Sequence, residues 1–163
     1  DITVHDRPVV DAALTESERT DGPAAALELP DGSIVTGKTS DLLGACSALL
    51  LNALKELAGI GHEIKIISPQ AIEPIQSLKT KYLGSRNPRL HTDEVLIALS
   101  VSAATSKDAK LAMEQLPKLK GCQAHVSVMP GSVDIKQFKL LSIQATFEAK
   151  YEKNSVFFNN KGV

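Results

Sequence analysis

Between Asp41 and Leu57 the apolar residues Leu42, Leu43, Cys46, Leu49, Leu50, Leu51, Ala53, Leu54 and Leu57 recur at helical spacing, yet they nearly encircle the helix instead of forming one stripe. Such a helix needs packing partners on most sides. Gly44, Ala45, Ser47 and Ala48 add a small-residue surface suited to lying close on a sheet. A chain built around this segment therefore has to be layered, with strands on at least one side of the helix.

The flanking segments supply those strands. Ala24 to Leu29 reads as an apolar strand, Pro30-Asp31-Gly32 as a turn and Ser33-Ile34-Val35-Thr36 as a β-branched partner, together a hairpin. Ile64-Lys65-Ile66-Ile67 reads as a further short strand running into Ser68-Pro69. Ala124, Val126 and Val128 alternate with Gln123, His125 and Ser127, and Ile143, Ala145, Phe147 and Ala149 alternate with Gln144, Thr146, Glu148 and Lys150, which predicts two strands with one wet face. Helices are expected from Pro8 to before Gly22, from near Pro74 with Ile75, Leu78 and Tyr82 on one face, from Ser106 to Pro117, and from Val133 to Leu141. Val95 to Ala104 fits either period. Asp93 and Glu94, suited to the first turn of a helix, favour the helix. The expected fold is an α/β three-layer sandwich on a mixed sheet of about five strands. Residues 1–22 form a connecting segment, 23–150 the α/β domain and 151–163 a polar tail.

Composition narrows the partners. The 163 residues carry 18 Lys+Arg against 19 Asp+Glu, a formal net charge of −1, which lacks the basic surplus that phosphate-backbone binding requires. Nucleic acid is not an expected partner. No apolar run approaches the roughly 18 to 20 residues of a membrane span, so no membrane contact is expected either. Cys46 and Cys122 form no CxxC pair or disulfide framework, which suits a reducing, cytoplasmic setting. The opening at Asp1, without Met or a signal-like segment, suits a start internal to a longer protein.

Two stretches offer chemistry. Gly32-Ser33-Ile34-Val35-Thr36-Gly37-Lys38-Thr39 satisfies the phosphate-loop expression G-x-x-x-x-G-K-[ST], in which backbone N–H groups cradle phosphates, Lys reaches the outer ones and Thr holds Mg²⁺. The Asp-Gly turn and the β-branched run favour a hairpin strand instead, and no apolar strand ending in Asp supplies a second Mg²⁺ anchor, so Mg-ATP is not the favoured cofactor. Lys38, Thr39 and Ser40 still precede the long helix, where free N–H groups attract an anion; the plain alternative is that Thr39 or Ser40 only caps the helix. The second stretch runs from Tyr82 to Glu94. Arg86 and Arg89 suit a bidentate grip on phosphate or carboxylate, and His91, oriented by Asp93, could act as acid or base. Its plain alternative is a loop pinned by Arg–carboxylate pairs. His5, His62 and His125 have no ligand-spaced partners, so no metal is expected, and Cys46 reads as core.

The layout is similar to that of zinc-dependent nucleoside deaminases, which place H-x-E or C-x-E at the first helix and P-C-x-x-C at the next. The strings compared with them, Lys38-Thr39-Ser40 and Pro69-Gln70-Ala71-Ile72, contain none of those ligands, so zinc is not expected. The stretches from Ala24 to Gly32, Ile34 to Ala45 and Tyr82 to Leu99 resemble the bacterial family called domain of unknown function eighteen forty-six, over about His5 to Tyr151. Members are much longer than this chain, so the resemblance implies a C-terminal domain whose first partner is the missing N-terminal part. It also implies a deaminase-like topology. Some members carry the label of ATP-dependent peptidases, which the phosphate-loop-like string would explain; this chain holds no peptidase constellation. Two expectations follow: a surface for a small anionic ligand of the phosphate or nucleotide kind, contributed to a larger enzyme, or a structural or homo-oligomerisation domain with no ligand site.

Overall fold

The computed structural model describes residues 7–150. The expected tail at 151–163, and His5 with the rest of 1–6, lie outside the described residues.

The centre of the fold is a run of small residues. Ala24, Ala25, Ala26 and Leu27 of β1 (Ala24–Glu28) are all fully buried, because helices cover both faces of this strand. β1 pairs antiparallel with β2 (Ile34–Lys38), Ala24 opposite Lys38 and Glu28 opposite Ile34. Their turn is held by Asp31, whose carboxylate accepts from the Ser33 N–H at 2.9 Å and hydroxyl at 2.6 Å, and by Gly32 at φ +88°. The other edge of β1 pairs antiparallel with β3 (Gln123–Val126), and β3 pairs parallel with β4 (Gln144–Phe147) through the crossover helix α6 (Ser132–Leu140). The order is β2-β1-β3-β4, a mixed open sheet of four strands.

One strand of the expected five is missing. In Ile64–Ile67 the first two side chains are exposed and the last two are buried, so the alternation a half-buried strand requires never develops. Ile66 and Ile67 instead plug the core from an irregular connection, which Lys55 pins by donating to the His62 carbonyl at 2.7 Å.

On one face of the sheet lies α1 (Pro8–Thr20), with Val9 and Ala13 packed on Ala26. This helix of the expected connecting segment thus forms a layer of its own. The other face carries α2 (Ala45–Ala58), α4 (Thr92–Ser102), α5 (Lys107–Met113) and α6, whose buried residues join Ala25, Leu27, Ala124 and Val126 in one core. The ambiguous Val95 segment is helical, and Ser106 caps α5 by accepting from the Ala109 N–H. α2 begins at Ala45, later than Asp41, and ends at Gly59, which takes φ +72°.

α3 (Pro69–Ser77) starts five residues before the expected Pro74 and contains that proline. The Ser68 carbonyl accepts from the Ala71 and Ile72 N–H groups, so the first turn closes ahead of Pro74, which costs one bond in the interior of a short helix. The helix then widens into a π turn over Leu78–Tyr82. Leu78 and Tyr82, expected on one face with Ile75, are exposed to solvent on that turn. No described helix is long and apolar enough to cross a membrane.

Candidate functional site

The polar residues singled out in the sequence fall around one junction. Residues 40–44 and 87–91 run side by side: Leu90 N–H donates to the Leu42 carbonyl at 2.9 Å, Gly44 N–H to the Leu90 carbonyl at 3.3 Å, and Leu43 bridges Leu90 in parallel. Ser47, in the first turn of α2, donates its hydroxyl to the same Leu90 carbonyl at 2.8 Å. Arg89 crosses the gap, its Nε donating to the Ser40 carbonyl at 2.6 Å. Beneath it the almost fully buried Lys79, from the π turn, donates to the Arg89 carbonyl at 2.5 Å and to Glu94 Oε1 at 2.8 Å. Asp134, in the first turn of α6, accepts from both the Thr92 N–H at 3.0 Å and the Thr92 hydroxyl at 2.7 Å, so one helix caps another. The N-termini of α2, α4 and α6 therefore converge.

The predicted residues divide into two groups. Ser40, Arg89, His91 and Asp93 belong to the junction. Lys38 does not: it ends β2 on the side opposite Gly37, which faces α2, and its charge helps Arg19 hold the Glu16 carboxyl of α1 below its ordinary value. Thr39 is tied to the Pro23 carbonyl through both its N–H and its hydroxyl, at 3.2 Å each. Ser40 caps no long helix, because α2 starts at Ala45; its hydroxyl accepts from the Leu42 and Leu43 N–H groups in a local turn. The phosphate-loop-like string is a hairpin strand.

At His91 the neighbouring carboxylate is Glu94, not Asp93. Glu94 Oε1 accepts from the His91 N–H at 2.8 Å and lies 3.5 Å from Nδ1, while Asp93 turns back to accept from the Glu94 N–H. The ligand atoms of His91, Asp93 and Glu94 lie within 4.8 Å of one another, but a cation there would compete with the Lys79 ammonium already on Glu94. Arg86 is exposed and makes no hydrogen bond or ion pair among the described residues; neither do the two terminal nitrogens of Arg89.

A second polar cluster was not anticipated. His125 is buried on β3, with Nδ1 2.6 Å from the Thr146 hydroxyl and Nε2 2.7 Å from Glu148 Oε2. Arg7 donates to the same Thr146 hydroxyl, to Gln123 Oε1 at 2.6 Å and to the Ala124 and Gln144 carbonyls. Donors and acceptors balance if Thr146 donates to Nδ1 and Nε2–H donates to Glu148. Cross-strand pairing carried this signal: the parallel register sets His125 opposite Thr146, and Glu148 follows two residues on, on the same face.

Cys46-Ser47-Ala48 opens the helix after the hairpin, and Pro130-Gly131-Ser132-Val133-Asp134 opens the helix after β3. Cys46 and Asp134 belong to no metal-ligand group among the described residues. Burial pushes the Cys46 thiol well up, and the nearby Asp134 carboxylate pushes in the same direction. Cys46 is core, and Asp134 is spent on Thr92.

Comparison with known proteins accounts for most of the chain. The family model described as domain of unknown function DUF1846, C-terminal, matches residues 5–157. A UPF0371 protein of Corynebacterium glutamicum is 56% identical over 155 residues, which are 95% of this chain and 31% of that protein. A UPF0371 protein of Corynebacterium efficiens is 57% identical over 155 residues, and one of Streptococcus thermophilus is 48% identical over 156, covering 31% and 32% of those proteins. The chain spans about a third of the length of these relatives. It belongs to the DUF1846 family and corresponds to the family's C-terminal domain.

Proposed function

We propose that this domain contributes an anion-gripping edge, for a phosphate or carboxylate group, to a site completed by the remainder of a longer protein. One observation carries the reading. Arg89 is fixed in place through Nε while its two terminal nitrogens stay without partners among the described residues, and unpartnered Arg86 stands three residues away. A guanidinium held by its base and open at its fork is preorganised for bidentate contact with an oxyanion. His91 stands at the same junction, 40% exposed at its side chain, as the group able to hold or move a proton. Lys38 and Thr39 are outside this reading, because one faces the α1 layer and the other is bound to Pro23. The deaminase-like topology belongs to it, supported by a hairpin leading to a long helix and by the parallel β3–β4 pair.

Calorimetric titration of ATP, ADP and inorganic phosphate into this chain and into the full-length protein, with and without Mg²⁺, tests the proposal. Saturable binding to the full-length protein is expected, lost in Arg86→Ala and Arg89→Ala and kept in Lys38→Ala. Binding that disappears with Lys38→Ala alone would move the anion to the hairpin. No heat in any form, with folding intact, would leave a structural domain as the better account.

A further inference from the structure

The exposed apolar side chains are unevenly spread. Five of the most exposed, Leu78 at 48%, Tyr82 at 78%, Leu83 at 69%, Ile97 at 62% and Val101 at 68%, lie on two adjoining elements. The π turn carries Leu78 and Tyr82, with Leu83 just after it, and α4 carries the others, three and seven residues beyond Glu94 and hence on one side of that helix. The Lys79–Glu94 ion pair, at 2.8 Å, locks the two elements together. The opposite side of α4, through Val95, Ala98 and Leu99, is the core side.

This is a built surface. Lys79, 5% exposed, anchors the π turn to the domain, and Leu83 N–H closes the turn onto the Leu78 carbonyl at 3.0 Å. π turns are rare and collect at functional positions. The turn displays Leu78 and Tyr82 to solvent while it buries Lys79. Tyr82 is one of only two tyrosines, and an aromatic at this exposure inside an apolar patch is the composition of an interface core. Exposed Lys81, next to Tyr82 in the chain, borders it with positive charge.

We infer that this patch is the docking surface for the N-terminal two thirds of the full-length protein, through an apolar face rimmed by acidic residues. The length relation selects this occupant: the chain matches a C-terminal family domain and covers only 31% of its relatives, so twice its own mass accompanies it in those proteins. Exposed apolar side chains gathered on two joined elements are what an interdomain contact buries. The inference stands apart from the anion reading, because it needs no ligand and no free guanidinium.

Hydroxyl-radical footprinting by mass spectrometry, on the full-length protein and on the 163-residue chain without ligand, tests it. Tyr82 and Leu83 should be oxidised at least fivefold more slowly in the full-length protein, while Leu140, 66% exposed at the far end of α6, keeps its rate. In full-length Tyr82→Glu/Ile97→Glu, proteolytic release of the C-terminal third should quicken at least tenfold, with the melting temperature of the same double variant of the short chain unchanged. Arg86→Ala should leave the protection in place. Equal oxidation of Tyr82 in both forms would overturn the inference. So would protection that grows with protein concentration alongside a doubled mass, which assigns the patch to a second copy, or protection already complete in the short chain, which assigns it to residues 151–163.

Discussion

Replacing Gly37 by alanine tests the packing at the centre of this fold. Gly37 lies in β2 opposite Ala25, directly under α2. A Cβ built there would stand 2.3 Å from the Leu49 nitrogen, 2.7 Å from the Leu49 Cα and 2.8 Å from the Ala45 carbonyl oxygen. All three are backbone atoms, so no side-chain rotation relieves the contact, and α2 must retreat by about 1 Å to restore ordinary separation. That helix buries Leu49, Leu50, Ala53 and Leu54 completely. A gap of this size forfeits about a quarter to a half of the dispersion energy along the contact. Overpacking usually costs about 1–3 kcal/mol, and a backbone clash belongs at the top of that range. Loss of glycine freedom in the unfolded chain returns about 0.4–1 kcal/mol, leaving a net loss of about 2 kcal/mol. With a urea dependence of about 2 kcal/mol per molar, the unfolding midpoint should fall by about 1 M, read by far-ultraviolet circular dichroism. Gly131→Ala is the control, since Gly131 sits at φ −70° with nothing within 4 Å of a new Cβ; it should stay within about 0.5 kcal/mol of the parent. Equal midpoints for the two variants would refute the close approach of α2 to β2.

Other changes probe the polar junction and the thiols. Lys79→Met leaves Glu94 and the Arg89 carbonyl without their ammonium and should cost about 2 kcal/mol, less than additive with Glu94→Gln in urea unfolding; strict additivity would deny the coupling. His125→Leu strips partners from Thr146 and Glu148 and should cost about 1–2 kcal/mol, a loss that a stability unchanged in urea would contradict. Burial raises the thiols of Cys46 and Cys122 in the folded state, so below the ordinary thiol range both states hold the proton and the contribution is constant. Above roughly pH 8.5 the unfolded thiols ionise first and stability falls, by up to about 1.4 kcal/mol per pH unit for each thiol. Cys46→Ala should flatten that fall, measured by urea unfolding from pH 7 to 10, and native Cys46 should resist a thiol reagent that labels it at once in guanidinium.

Local signals located most elements because local rules decide them. The Asp31-Gly32 turn, the acidic start of α4 and the Ser106 cap each depend on atoms within a few residues, and each stands where the sequence places it. What depends on distant partners was not legible. Residues 64–67 have strand-forming side chains but join no strand ladder among the described residues, and only Ile66 and Ile67 enter the core. The start of α2 moved to Ala45 because residues 40–44 are engaged by Leu90 and Arg89, about fifty positions away. His125 looked isolated only because its partners, Thr146 and Glu148, sit on another strand. Asp134 on Thr92 and Lys79 on Glu94 escaped notice for the same reason.

The phosphate-loop-like string shows how far a local match can mislead. Three of its four fixed positions have a use in the fold. Gly32 takes the positive φ of a hairpin turn, Gly37 gives α2 room to approach the sheet, and Thr39 holds the chain to Pro23. The fourth, Lys38, makes no side-chain hydrogen bond among the described residues; its charge bears on Glu16 of α1, away from the convergent helix starts. If this domain grips an anion, the grip therefore comes from Arg86 and Arg89, two residues outside the motif and a few positions from the exposed Tyr82 and Leu83. Docking of the N-terminal part on that patch would enclose the two guanidinium groups against a low-dielectric wall, where a charge-assisted contact is worth more than in open water. Arg86→Ala should then weaken ligand binding in the full-length protein by more than it does in the isolated chain, and an equal loss in both would separate the interface from the site.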